Sequence, residues 1–121
     1  MSSKILHTTP RKLLGDQKLP ITCNLAFVCY CPMPTIFEQY IIDVDTTVDR
    51  YFIHTHNNHV KFCRYHDTTF VVVAEVYGGP VSVTTVEELN FYGIKTIIGL
   101  GFVGSLTFDL PTGSLIVAKK L

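Results

Sequence analysis

The segment TTFVVVAEVYGGPVSVTTVEELNFYGIKTIIGL, residues 68–100, constrains the fold more than any other part of the chain. Its first nine residues, TTFVVVAEV, are dominated by β-branched and aromatic side chains, which suit a pleated, buried surface. They read as a strand. Gly78, Gly79 and Pro80 follow and read as a tight turn. Residues 81–93 contain several strand formers. Yet Val83, Val86 and Leu89 fall on one helical face, and Gly93 suits a helix C-cap, so a helix is predicted there. IKTIIGL, residues 94–100, is the next strand. Strand, helix and strand in this order point to the α/β class.

The remaining segments fit around that unit. Residues 1–20 are polar and contain proline, and read as an irregular arm. ITCNLAFVCYC, residues 21–31, reads as a buried strand. Pro34 suits a first helical turn, and Ile36, Phe37, Tyr40 and Ile41 recur at helical spacing, so a short helix is expected. Residues 49–78 read as two or three strands, with turns at HNNH (56–59) and HDT (66–68). A glycine loop follows residue 98, and SLIVAKK (114–120) is a last predicted strand. The expected architecture is one α/β domain over residues 1–121, a mixed sheet with flanking helices.

Charge narrows the function classes. The 121 residues carry ten Lys and Arg against ten Asp and Glu. With no basic stripe, nucleic-acid binding is not expected. Apolar runs fall short of the roughly 20 residues a membrane helix requires. The amino terminus lacks the apolar core of a signal peptide, so a cytoplasmic protein with no membrane partner is expected. Charged residues make up only 17% of the chain, against about 25% in typical domains. That scarcity predicts a homo-oligomer, or a partner chain covering an apolar surface. The cysteines are Cys23, Cys29, Cys31 and Cys63; Cys29 and Cys31 would share a strand face and are expected to be buried, reduced thiols rather than a disulfide pair.

Gly99, Gly101 and Gly104 have the spacing G-x-G-x-x-G. A dinucleotide clamp needs a helix after this loop and an acidic residue about 20 residues on. Here Asp109 comes too early, and Pro111 and Gly113 break any helix. HTHNNHVKFCRYH gathers His54, His56, His59, Cys63 and His66. His54 and His56 would share a strand face as a metal pair, but the spacing matches no zinc module, and a polar hairpin is the expected reading. Cys63 with His66 lacks the third group that would orient a nucleophile. Glu75 is expected at a strand rim and Glu88 on a helix face, with Glu87 a third carboxylate available for acid–base work. No metal and no cofactor are expected.

Taken together, VYGGP, EEL, YGIKTII, GFVGSL and TGSLIV resemble the nucleoside phosphorylase family, the purine nucleoside and uridine phosphorylases. The resemblance covers most of residues 60–121 and rests on the order and spacing of these pieces. It implies that Gly99, Gly101, Phe102, Val103 and Gly104 form the loop that lies under phosphate and base, with Gly78, Gly79 and Pro80 as the family's glycine turn. Backbone amides approach an anion closely only where side chains are absent. It also makes Arg50 the candidate for an arginine that crosses to a neighbouring subunit's phosphate.

The chain departs from the family at the residues that hold phosphate. Gly99 stands where the family has an arginine, and Phe102 where it has a small hydroxyl residue. The arginine of the amino-terminal phosphate turn has no counterpart, since Phe37 or Glu38 sits there. The family's chain also continues past this point, and its later half binds ribose and protonates the base. The resemblance therefore implies a truncated, phosphorylase-like half domain. The expected function is that of a non-catalytic binding or interaction protein, a pseudoenzyme with a nucleoside as candidate ligand. The alternative is a pentosyltransferase, cleaving nucleosides with phosphate, active only as an oligomer or with a partner chain. Phosphate-dependent release of base separates the two.

Overall fold

The structure, a computed structural model, describes Gly15 and residues 17–46 and 48–101. A four-stranded mixed sheet carries β1 (Leu25–Cys29), β2 (Val60–Tyr65), β3 (Thr68–Val73) and β4 (Thr96–Leu100), with one helix, α1 (Gly79–Phe91). The strand order is β2-β3-β1-β4. β1 runs parallel to β3 and to β4, whereas β2 is antiparallel to β3. The expected α/β class with a mixed sheet is therefore observed.

The apolar run of β3 follows from its position. Successive side chains on a strand point to opposite faces, and here both faces are covered. Val71 and Val73 enter a core with Ala26, Val28, Phe52, Phe62 and Leu89. Phe70, Val72 and Ala74 enter a second core, on the other face, with Cys29, Cys63 and Phe37. Phe27, Phe37 and Phe70 meet there at ring-centroid separations of 5.2–6.0 Å. A strand buried on both faces reads as continuous rather than alternating.

α1 packs against the first core through Leu89, which is fully buried. Its C-terminus forms as the sequence predicts. Tyr92 is the cap, and Gly93 adopts φ +94° and donates to Asn90 O at 3.0 Å. Glycine takes this left-handed conformation without steric cost.

Several expectations are corrected. Gly78–Gly79–Pro80 is not a separate turn. Gly78, at φ +89°, caps the helix, and Gly79 and Pro80 are its first residues. The preset φ of proline suits that position. Thr35–Tyr40 is a 3₁₀ turn rather than an α-helix. Only Phe37 in it is buried, and a narrow apolar stripe carries one tight turn, not several. Residues 49–78 give two strands joined at His66–Asp67, as expected at that turn, while Asn57–His59 is a short 3₁₀ turn. The strand predicted at 114–120 lies outside the described residues.

Candidate functional site

The chain leaves β1 towards β3 on one side, then crosses through α1 to reach β4 on the other. Such a reversal lies at the carboxyl ends of the strands, the edge where ligands bind in open α/β sheets. Tyr30 and Cys31 follow β1 there, Glu75–Gly78 follow β3, and Gly101 follows β4. The strand ends are tied together through the backbone. Tyr30 N donates to Leu100 O at 2.8 Å, Glu75 N to Cys31 O at 2.9 Å, and Val76 N to Cys29 O at 3.1 Å.

Tyr30 accounts for one of the three glycines in the loop motif, Gly99, and touches a second. A Cβ at Gly99 would lie 3.2 Å from Tyr30 Cε2, and one at Gly101 would lie 3.6 Å from Tyr30 Cβ. The ring thus sits over the bare backbone of β4. Its hydroxyl meets Ser82 Oγ, in the first turn of α1, at 3.0 Å. One exposed aromatic ring thus bridges from the end of β1 to α1. Phe102, Val103 and Gly104 lie outside the described residues.

Gly99→Ala is expected to cost about 1 kcal/mol, because the Tyr30 ring must yield a few tenths of an ångström. In a Tyr30→Ala background the same change should be neutral or stabilising. Denaturant unfolding of the four proteins of this cycle checks the coupling, and additive effects would refute the seating of Tyr30 on Gly99.

At the junction of β2 and β3, His59 Nδ1 lies 2.9 Å from Glu75 Oε2. His59 precedes β2 and Glu75 lies just beyond the end of β3, so the antiparallel pairing brings them together. The sequence identified both residues but not their partnership.

The other sequence candidates are dispersed. His54 lies in the Phe52–Thr55 turn and His56 caps the 3₁₀ turn, so the two do not share a strand face. His56 Nδ1 is taken by Asn58, whose side-chain oxygen is 2.8 Å away. Among the described residues, no three His, Cys, Asp or Glu side chains converge on a metal position. Cys63 is buried within β2, whereas His66 is exposed at the hairpin with φ +54°. Burial pushes the Cys63 thiol up to about 11. Burial, with the Cys31 thiol beside it, pushes Cys29 up to about 12. Thiols held so far from ionisation are packing groups, not nucleophiles.

Arg50 belongs to the opposite end of the domain. Its carbonyl accepts from Gln17 Nε2 at 2.9 Å, and the same amide lies 2.5 Å from the hydroxyl of Tyr92, just beyond α1. Its guanidinium donates to Ile53 O at 3.4 Å. A cleft of about 970 Å³ opens at this amino-terminal edge, bordered by Gln17, Asn24, Asp67, Phe91 and Tyr92. It lies across the sheet from the glycine pair.

Glu87 is exposed on α1. Glu88 is 1% exposed. One carboxylate oxygen accepts from Ile53 N at 3.0 Å. Burial raises its pKa above the ordinary glutamate value, the Ile53 amide opposes this, and the Glu87 charge adds to it. Glu88 is therefore a clasp between α1 and the Phe52–Thr55 turn.

Over 118 residues the chain is 50% identical to the uncharacterized protein R802 of Acanthamoeba polyphaga mimivirus. The match covers 97% of this chain and 47% of that protein, so the chain spans about half the length of the curated relative it matches. No family model matches the chain, and no solved structure does.

Proposed function

We propose that this chain is a nucleoside-phosphorylase-like binding protein that holds a nucleoside at the carboxyl edge of its sheet without cleaving it. The seating of Tyr30 on Gly99 and Gly101 carries this reading. Phosphorolysis needs cationic donors to hold a dianion beside the sugar. Neither β1, β4 nor α1 contains a Lys or Arg, and the bare backbone of β4 is used to seat an aromatic ring. Aromatic rings offer a stacking surface to planar bases, whatever their sequence of hydrogen-bonding groups.

The test is direct. Purified chain incubated with phosphate and inosine, adenosine or uridine is expected to release no base. Phosphate at millimolar concentration is expected to leave Tm unchanged, whereas a nucleoside raises it by mass action. Turnover, or binding of phosphate without nucleoside, would overturn the reading.

A further inference from the structure

Among the described residues, the buried polar or charged side chains are Thr55, Thr85 and Glu88. Thr85 is satisfied within α1, its hydroxyl donating to Val81 O at 2.8 Å. The other two are not. Glu88 Oε2 accepts from Ile53 N at 3.0 Å. Glu88 Oε1 and Thr55 Oγ1 have no hydrogen-bond partner. These orphaned atoms belong to the two elements that Glu88 joins, the helix and the Phe52–Thr55 turn.

The lone oxygen of Glu88 makes this contact sensitive to a proton. Protonated, the carboxyl is neutral and keeps one oxygen as acceptor for Ile53 N. Ionised, it is a buried charge with a single donor, which is far more costly than a buried neutral group. No counter-charge offsets it. Among the described residues no Lys, Arg or His forms an ion pair with Glu88. Arg50, at the approach to the turn, directs its guanidinium to Ile53 O at 3.4 Å. His54 in the turn is exposed. Beside Glu88 on α1 stands Glu87, a like charge. Tyr92, just past the helix, donates its hydroxyl to the carbonyl of Tyr51. Burial raises the proton affinity of the Glu88 carboxyl, the Ile53 amide lowers it and the Glu87 charge adds to it.

Ionisation therefore favours any opening that brings water to the carboxylate. The turn can supply one. It lies outside every regular element, whereas α1 is a continuous helix of 13 residues. The segment around the turn is also tied to itself. Asn57 accepts from Tyr51 N at 3.0 Å and donates to Val48 O at 3.1 Å. It can thus move away from the helix as one piece.

We propose that Glu88 is a proton-held latch: its protonated form keeps the Phe52–Thr55 turn on α1, and its ionisation opens the turn. The inference does not depend on the nucleoside reading.

Amide exchange of the full chain, followed by NMR from pH 4.5 to about pH 8, tests it. Protection is taken against the intrinsic exchange rate at each pH. Protection of the Ile53 amide, relative to that of the β2–β3 ladder, is expected to fall about tenfold or more as pH rises, as for a charged group short of a partner. Glu88→Gln should hold that ratio constant. A glutamate that only packs would leave the ratio constant in the unaltered chain as well, and that result overturns the latch. So does the same fall in the glutamine variant. If Glu88→Gln does not fold, a carbon-13 titration of the Glu88 carboxyl in the unaltered chain decides. The loss of Ile53 protection must then follow the ionisation curve of that carboxyl, and a loss that departs from it overturns the proposal.

Discussion

Replacing Phe52 by alanine is expected to lower stability by about 3–5 kcal/mol, the range for truncating a buried aromatic residue. Phe52 is fully buried although it lies outside every regular element. Its ring meets Tyr92 edge-on at a centroid separation of 5.7 Å and joins the core shared by β1, β2, β3 and α1. Truncation would open a void between the turn and the helix, and the turn cannot collapse to fill it. Tyr51 N is held by Asn57 Oδ1 at 3.0 Å on one side, and Ile53 N by Glu88 on the other. Equilibrium unfolding in urea measures the loss. A change below about 1 kcal/mol would mean that the turn relaxes freely, contrary to its fixed hydrogen bonds.

Glu88→Ala is expected to cost about 1–3 kcal/mol, since it leaves the half-buried Ile53 amide without its acceptor. Glu88→Gln keeps an acceptor and removes the charge, so its effect depends on pH. The Glu88 carboxyl holds its proton more tightly in the fold than in the unfolded chain, whose ordinary value is 4.5. Unfolding therefore releases a proton once the pH passes 4.5, and the contribution of Glu88 declines as pH rises through its higher folded value. Glutamine has no such decline. The stability of Glu88→Gln relative to the unaltered chain should thus increase with pH from about 5 upwards and then level off. Unfolding midpoints of the two proteins across a pH series read this difference directly. Parallel curves would show that the carboxyl is solvated and not buried as a clasp.

Much of the fold was legible because its signals are local. TTFVVVAEV and IKTIIGL carry their own patterns and Gly93 marks the end of the helix, but the helical face expected through Val83 and Val86 is not the one that packs: Val83 is exposed, and Thr85, Glu88 and Leu89 are buried. The two-residue connection at His66–Asp67 is marked by its polar residues. The misread segments are those where a neighbour decides. Thr35–Tyr40 has helical spacing, but only Phe37 finds a core to enter, so the pattern supports a single 3₁₀ turn. Gly78–Pro80 has turn composition, but the same residues open helices when an apolar face follows. The glycine at position 99 was visible at the end of β4, whereas its cause was not. That cause is a tyrosine almost seventy positions earlier in the chain, brought alongside by parallel pairing. The approach of His59 to Glu75 likewise depends on the register of β2 on β3. Glu88 was assigned to a helix face, and nothing in EEL distinguishes which of two adjacent glutamates faces inward.

The arrangement of the sheet has a consequence for how the chain reaches it. β2 and β3 are joined by two residues and pair over six consecutive positions, Val60–Tyr65 with Thr68–Val73. That hairpin closes a minimal loop, and such loops form in microseconds. β1 meets β3 and β4 only through contacts between residues distant in sequence, whose loop-closure entropy must be met first. The order of assembly that follows is hairpin, then β1 docking on β3, then α1 folding over and delivering β4. Tyr30 can settle on Gly99 only at that last step. The candidate site is therefore the final part of the domain to form. Under mild denaturant its amides should exchange with solvent before those of the β2–β3 ladder.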